Sequence, residues 1–205
     1  MKEERVFIQA GKVKIEGLLG KAPGEKAVIV THPHPLYGGD MNNSVVAAVV
    51  EAYSSKGYTT LRFNFRGVGQ SEGKYGEGIG EQADVREGLL YLNGLGKSSI
   101  DLAGYSFGAW VNAMGLESFQ YARRIIMVSP PVNFIDFSFL GYSAKIQLVI
   151  AGSEDDIAPP RMIQGMIHAW NPEVHYTIIQ GADHFYAGKT NEIVRIIQDF
   201  LNDEK

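Results

Sequence analysis

Short, continuously apolar runs alternate along this chain with segments whose apolar residues recur at helical spacing, and this alternation restricts the fold more than any other feature. The run 27–30 (AVIV) is typical of a strand buried on both faces of a parallel sheet. The next segment has helical i, i+3, i+4, i+7 spacing, with apolar residues at Val46, Val49, Val50 and Tyr53. Strands that alternate with helices need right-handed crossovers. The chain is therefore predicted to be an α/β protein, with a mostly parallel sheet and helices on both of its faces.

The pattern predicts eight strands. The first two, 6–9 and 13–19, flank Ala10-Gly11-Lys12 and are predicted to form an antiparallel hairpin at the edge of the sheet. The other strands are expected at 27–30, 59–65, 100–104, 125–128, 145–150 and 176–179. Helices are expected around 46–53, 85–92, 107–114, 162–167 and 193–201. No repeat or boundary interrupts the pattern, so residues 1–205 are predicted to form one domain.

Composition and charge narrow the classes of function. Apolar residues make up 45% of the chain and charged residues 20%, as in ordinary globular proteins. The net charge is -4 and no basic cluster occurs, which argues against nucleic acid as a partner. The chain has no cysteine, which excludes disulfides and thiolate metal sites. The first residues include no long apolar stretch, so neither a signal peptide nor a membrane partner is expected and a cytoplasmic location is predicted.

The segment Gly104-Tyr105-Ser106-Phe107-Gly108 lies between a predicted strand and a predicted helix. In that context the pattern is typical of a nucleophile elbow, a sharp turn that leaves a serine hydroxyl exposed at its tip. The glycines let strand and helix approach closely, while the serine is expected in a strained backbone region that costs about 1–3 kcal/mol. Such short patterns also arise by chance, so the hypothesis depends on partner residues elsewhere.

Further polar residues follow the last two predicted strands, and the carboxyl ends of parallel strands meet at one edge of a sheet. Glu154, Asp155 and Asp156 follow the seventh strand, and His184 follows the eighth. A serine hydroxyl needs a base within hydrogen-bond reach, and the base needs a third group that fixes its tautomer. The sequence therefore predicts Ser106 as nucleophile, His184 as base and Asp155 as the orienting acid. Glu154 and Asp156 remain alternatives for the acid.

Attack on a carbonyl creates an oxyanion, which must be stabilised by backbone N–H donors. One donor is expected to be the amide of Phe107, at a helix N-terminus where the dipole also helps. The second is expected from the loop after the third strand. Because the two prolines of that loop have no N–H, the candidates are His34, Leu36 and Tyr37, of which His34 is favoured.

His32 and His34 also raise the alternative of a metal pair, but metal sites need further ligands and a directed second shell. Neither a metal nor an organic cofactor is therefore expected. His32 is instead predicted to bond to the backbone and hold the loop.

The whole chain resembles the α/β-hydrolases, and more narrowly the small lidless serine hydrolases related to the dienelactone-hydrolase and X-prolyl-peptidase-like groups. The resemblance rests on His32-Pro33-His34-Pro35 with Gly38-Gly39, on 62–73 (RFNFRGVGQSEG) and on 181–185 (GADHF). It implies the α/β-hydrolase fold, with Ser106, Asp155 and His184 as the triad. The chain departs from dienelactone hydrolases in having no cysteine nucleophile, and it has His-Pro where many relatives have His-Gly.

Larger relatives insert a lid between the sixth and seventh strands, where this chain has only about a dozen residues, 132–144. No substantial lid is therefore expected, which predicts an open site for small or short-acyl substrates. Phe134 and Phe137 of this segment, with Tyr37 and Tyr105, are predicted to line an acyl pocket. Packing of the segment on the core is the alternative.

The function predicted from these observations is hydrolysis of small-molecule carboxylic esters by a serine carboxylesterase (EC 3.1.1). The same machinery also suits a peptidase, a lactonase or an acyltransferase, because the fold does not choose among them. A catalytically silent binding protein on the same fold is the alternative outside enzymes. A homodimer is left open.

Overall fold

A computed structural model describes residues 2–202. Its strands are β1 (Glu3–Ala10), β2 (Val13–Gly20), β3 (Lys26–Thr31), β4 (Thr59–Phe63), β5 (Ser99–Tyr105), β6 (Ala122–Val128), β7 (Ile146–Gly152) and β8 (His175–Ile179). Its α-helices are α1 (Ser44–Ser55), α2 (Ile79–Gly94), α3 (Phe107–Met114), α4 (Pro160–Trp170) and α5 (Thr190–Asn202). Among these described residues no helix is long and apolar enough to cross a membrane.

The strands form one eight-stranded sheet in the order β1-β2-β4-β3-β5-β6-β7-β8. β1 pairs with β2 and β2 with β4 in antiparallel fashion, while the pairs from β4 through β8 are parallel. The hairpin between β1 and β2 turns at Gly11, which has a φ of 63° that favours glycine. The predicted mostly parallel sheet with an antiparallel edge hairpin is confirmed.

Both faces of the sheet are covered, as the continuously apolar strand predicted. Along β3, Val28 and Val30 belong to one apolar cluster, while Ala27 and Ile29 belong to the other. Helices α1 and α5 cover the cluster that contains Val28 and Val30. Helices α2, α3 and α4 cover the cluster that contains Ala27 and Ile29. This layering directs the carboxyl ends of the parallel strands toward one rim, where the connecting loops meet.

Several strand boundaries differ from those predicted: β1 begins three residues earlier than predicted, at Glu3, and β7 ends two residues later, at Gly152. β4 ends at Phe63, two residues before the predicted end, and the amide of Phe65 beyond it donates to the His32 side chain and not to a strand. β6 begins at Ala122, three residues earlier than predicted, although it then includes a charged side chain in the core. Arg124 is accommodated there because its guanidinium pairs with the buried Asp101 of β5.

Candidate active site

The turn from β5 into α3 places Ser106 at the rim of the sheet. Ser106 has φ 53° and ψ -118°, a backbone conformation that L-residues rarely adopt. A Cβ on Gly104 would lie 2.5 Å from the amide nitrogen of Ala109, and one on Gly108 would lie 2.6 Å from the carbonyl oxygen of Thr31. The two glycines are therefore required by the close approach of α3 to β5 and β3, and the turn has the form expected of a nucleophile elbow.

Ser106, His184 and Asp155 are brought together although they lie in three separate loops. Oγ of Ser106 is 2.9 Å from Nε2 of His184. Nδ1 of His184 is 2.9 Å from each carboxylate oxygen of Asp155. Because an ionised carboxylate only accepts hydrogen bonds, Nδ1 carries the proton and Nε2 is left to accept the serine proton. The three side chains thus form one directed chain of hydrogen bonds.

Burial distinguishes Asp155 from its acidic neighbours. Asp155 is 2% exposed, whereas Glu154 and Asp156 point to solvent. Oδ1 of Asp155 also accepts hydrogen bonds from the amides of Ile157 at 3.0 Å and Ala158 at 2.7 Å. Of the three acids that the sequence offered, only Asp155 contacts His184.

The environment of Asp155 favours its ionised form. Burial alone would raise the pKa of Asp155. The hydrogen bond and the charge of His184, together with the donors Ser129 and Ala158, outweigh burial, so the pKa lies below its ordinary value. The carboxylate is therefore negatively charged at neutral pH and can stabilise a positive imidazolium.

The backbone near Ser106 offers two free N–H groups. Within residues 2–202, no hydrogen-bond acceptor is found for the amides of Phe107 and His34. The other two candidates of the loop are engaged, since Leu36 donates to Nδ1 of His34 at 3.2 Å and Tyr37 donates to the carbonyl of His34 at 3.1 Å. The residues with free amides line the same cavity as Ser106.

A cavity of about 400 Å³ opens above Ser106. Its walls are mostly apolar and include Tyr37, Pro131, Phe134, Ile135, Ile157 and Phe185. Among the described residues that line it there is no Lys, Arg, Asp or Glu. The rings of Tyr37 and Phe134 meet edge to face at 5.9 Å across the mouth, and both are exposed.

The predicted pocket residues do not all reach this cavity. Tyr37 and Phe134 line it, and Tyr105 borders it while donating its hydroxyl to the carbonyl of His184 at 2.7 Å. Phe137 does not line it, because its ring is 2% exposed and packs in the core 5.6 Å from Trp170. Phe185 is a lining residue that sequence reasoning missed, although its position directly after His184 was a usable signal.

The two histidines after β3 hold the loop that carries the free amide. Nδ1 of His32 donates to the carbonyl of Pro33 at 2.6 Å, and Nε2 accepts from the amide of Phe65 at 3.0 Å. Burial lowers the pKa of His32 to about 4, so its imidazole is neutral. His34 bonds instead to the hydroxyl of Tyr75 at 3.3 Å through Nε2. No cluster of three or more potential metal ligands occurs within the described chain.

A comparison with known sequences finds a relative that aligns with almost the whole chain. A protein of uncharacterised function from Rickettsia prowazekii is 36% identical over 209 residues, which covers 96% of this chain and 88% of that protein. No protein-family model matches.

Solved structures give the same extent of similarity. An α/β serine hydrolase homologue from Coxiella burnetii superposes with a TM-score of 0.90 and is 33% identical, covering 98% of both chains. An α/β serine hydrolase without a lid from Xanthomonas campestris has a TM-score of 0.89 and 26% identity, covering 98% of this chain and 94% of that one. In this protein, residues 129–145 between β6 and β7 likewise include no helix or strand. The chain belongs to the α/β serine hydrolases, in a form that has no lid.

Proposed function

We propose that this protein is a serine carboxylesterase. The observation that carries the proposal is the unbroken contact from Ser106 Oγ through the imidazole of His184 to Asp155, at the floor of an apolar cavity. A serine hydroxyl becomes a competent nucleophile when a base accepts its proton during attack, and this geometry supplies such a base. The neutral imidazole accepts the proton, and the ionised acid stabilises the resulting imidazolium.

In the first half of the reaction, Oγ of Ser106 attacks the ester carbonyl carbon and transfers its proton to Nε2 of His184. The tetrahedral oxyanion accepts hydrogen bonds from the amides of His34 and Phe107. Phe107 is the first residue of α3, where the helix dipole also favours negative charge. Collapse of this intermediate breaks the ester C–O bond, and His184 returns the proton to the leaving alcohol. Ser106 then carries the acyl group.

Water completes the cycle by the same route. His184 removes a proton from a water molecule as the water attacks the acyl carbon, and the proton then passes to Oγ as the ester bond to Ser106 breaks. The products are a carboxylic acid, an alcohol and the free enzyme. Because no lid covers the cavity, water reaches the acyl group directly, which favours hydrolysis over acyl transfer.

The cavity supports small, uncharged substrates. Its lining of aromatic and aliphatic side chains accommodates an apolar acyl group. A substrate with a charged group would lose hydration without gaining an ion pair, because no described lining residue is a cation or a carboxylate. We therefore infer that the substrates are neutral esters of short or small acyl groups.

A panel of p-nitrophenyl esters of increasing acyl length tests the proposal on wild type and Ser106→Ala. The wild-type enzyme is expected to turn over the short esters, and the substitution is expected to lower kcat by about four to six orders of magnitude. The matched control is Ser98→Ala, which removes an exposed hydroxyl just before β5, at the opposite end of that strand. A fluorophosphonate should label Ser106 in wild type and in the control.

Three outcomes would change the assignment. Turnover that persists in Ser106→Ala would mean that another group performs the chemistry. Labelling without ester turnover, but with cleavage of peptides or lactones, would keep the triad and change the substrate class. No turnover and no labelling would favour a binding protein on this fold.

A further inference from the structure

A pair of buried hydroxyl groups lies next to Asp155, the acid of the triad. Ser129 follows β6, and its Oγ is 2.6 Å from Oδ2 of Asp155. The same Oγ is 2.7 Å from the hydroxyl oxygen of Tyr186, which lies in the loop after β8. Neither Ser129 nor Tyr186 is exposed to solvent. The loops after β6, β7 and β8 therefore meet at this carboxylate, and neither Ser129 nor Tyr186 lines the cavity.

The direction of each hydrogen bond follows from the number of protons available. The carboxylate of Asp155 can only accept, so Ser129 donates its one proton to Oδ2. Since that proton is used, the contact between Ser129 and Tyr186 can be a hydrogen bond only if Tyr186 donates. Burial raises the pKa of Tyr186, which keeps this donor protonated. The resulting chain runs in one direction, from Tyr186 to Ser129 to Asp155.

The backbone supports a role beyond packing. Among the described residues, the non-glycine positions with positive φ are Glu77, Ser106, Ser129 and Tyr186. Three of these four belong to the hydrogen-bond chain that ends at Ser106. A non-glycine residue held at positive φ costs about 1–3 kcal/mol and persists where its surroundings require its side chain. Glycine would relieve the backbone strain at Ser129 and Tyr186, but it would remove the two hydroxyl groups.

We propose that Ser129 and Tyr186 are positioning residues, which hold the carboxylate of Asp155 ionised and aimed at Nδ1 of His184. This inference rests on the proposed esterase mechanism, in which Asp155 orients the base. The amides of Ile157 and Ala158 hold Oδ1, and the hydroxyl chain holds Oδ2. With both oxygens fixed, the carboxylate plane cannot rotate away from the imidazole.

Other ionisable groups lie close to the hydroxyl chain. They are His184, Tyr105 at the end of β5, Asp183 and Tyr186 in the loop after β8, the exposed Glu154 and Asp156 on the loop of Asp155, and Tyr176 of β8, which lies near Tyr186. Because Ser129→Ala alters none of them, a change in its pH dependence reports the hydroxyl chain.

The first variant is Ser129→Ala, tested with the shortest p-nitrophenyl ester that wild type turns over. Loss of a donor to a charged acceptor is expected to lower kcat about tenfold, with KM unchanged. The acid limb of the kcat/KM profile is expected to move to higher pH by about half a unit. The reason is that the pKa of Asp155 rises when its carboxylate loses a hydrogen bond that favours the ionised form. Active sites are counted with a fluorophosphonate, so that an unfolded fraction does not contribute.

The second variant, Tyr186→Phe, retains the ring and the bond between Ser129 and Asp155. We expect a smaller loss of kcat and a shift of the acid limb in the same direction. The matched control is Tyr176→Phe. It removes a hydroxyl that donates to the carbonyl of Pro160 and is not part of the hydrogen-bond chain from Tyr186 to Asp155. The control should leave kcat and the acid limb unchanged.

A readout that needs no turnover separates this proposal from the esterase assignment. The Nδ1 proton of His184, which is bonded to Asp155, should give a low-field proton resonance in NMR spectra. Its chemical shift is expected to change in Ser129→Ala and Tyr186→Phe but not in Tyr176→Phe. If wild type turns over no ester, the esterase assignment fails while this resonance still tests the hydroxyl chain. An unchanged resonance and an unmoved acid limb in Ser129→Ala would overturn the positioning role.

Discussion

A free backbone N–H distinguishes His34 from Leu36 and Tyr37 of the same loop, and substitution can remove it. The φ of His34 is -59°, close to the value that proline requires, so His34→Pro deletes the amide proton with little change in φ. If this N–H stabilises the oxyanion, kcat should fall about 100- to 1,000-fold relative to a variant that lacks only the imidazole.

His34→Ala is that reference variant, because both substitutions remove the imidazole that accepts the amide of Leu36. The ratio of kcat between His34→Ala and His34→Pro on one p-nitrophenyl ester therefore measures the N–H alone. Equal kcat values in the two variants would show that the second oxyanion donor lies elsewhere.

His32 connects the stability of the protein to pH. Its Nε2 accepts the amide of Phe65, so protonation would bring two donors face to face in a buried position. Burial lowers the pKa of His32 from 6.5 to about 4, with the bond to the Pro33 carbonyl opposing the effect. The unfolded chain therefore binds a proton more readily between those pH values. This contribution to stability is complete above pH 6.5 and is lost as pH falls toward 4.

The expected size of this loss is about 3 kcal/mol, from the difference between the two pKa values of His32. The free energy of unfolding in urea should fall steeply between pH 7 and 5 in wild type. It should fall much less in His32→Asn, although that variant is less stable at pH 7. His168→Gln, which alters an exposed histidine of α4, should keep the wild-type slope. A wild-type slope in His32→Asn would contradict the assignment.

At the scale of single elements, the close contact between β5 and α3 explains why the elbow needs its glycines. A Cβ on Gly104 would meet backbone atoms of Ala109, which cannot move without displacing α3. Gly104→Ala is therefore expected to lower the free energy of unfolding by about 3 kcal/mol or more.

The same substitution in α4 should have the opposite sign. Gly165 lies within that helix, and a Cβ there would have no atom within 4 Å. Gly165→Ala should raise the free energy of unfolding by about 0.5–1 kcal/mol, because glycine loses more backbone entropy in a helix than alanine does. Urea unfolding of both variants checks the pair, and a similar change in both would show that steric contact at the elbow is not the cause.

Elements with a clear period were predictable from the sequence, and elements that depend on distant partners were not. The buried strand β3 and the apolar stripe of α5 are local patterns, and both were predicted where they occur. The early start of β6 was missed because Arg124 is a poor core residue until Asp101 of β5 pairs with it. No local signal announces such a pair.

The site shows the same division. Ser106 and His184 lie in loops that follow strands, so strand prediction was enough to bring them to one rim. The direction of a loop side chain was harder, since Phe137 turns into the core while Phe185 turns to the cavity. Ser129 had no visible partner in the sequence because its bonds join the loops after β6, β7 and β8.

At the scale of the whole molecule, charge and openness together are expected to determine which esters the proposed esterase accepts. The net charge is -4, and the cavity offers no described cation to an anionic substrate. An ester with a free carboxylate on its acyl group, such as p-nitrophenyl hemisuccinate, should therefore be a poor substrate. Its kcat/KM is expected to be about 10- to 100-fold below that of the neutral butyrate ester.

One exposed residue at the rim can test the electrostatic cause. Tyr37 lines the mouth and is largely exposed, so Tyr37→Arg adds a cation there without burying it. This variant should raise kcat/KM for the hemisuccinate several-fold at low ionic strength, and 0.5 M salt should remove most of the gain. Tyr37→Gln removes the ring without adding charge, so it should change both esters alike. If both variants treat the two esters equally at every ionic strength, cavity shape and not charge excludes the anion.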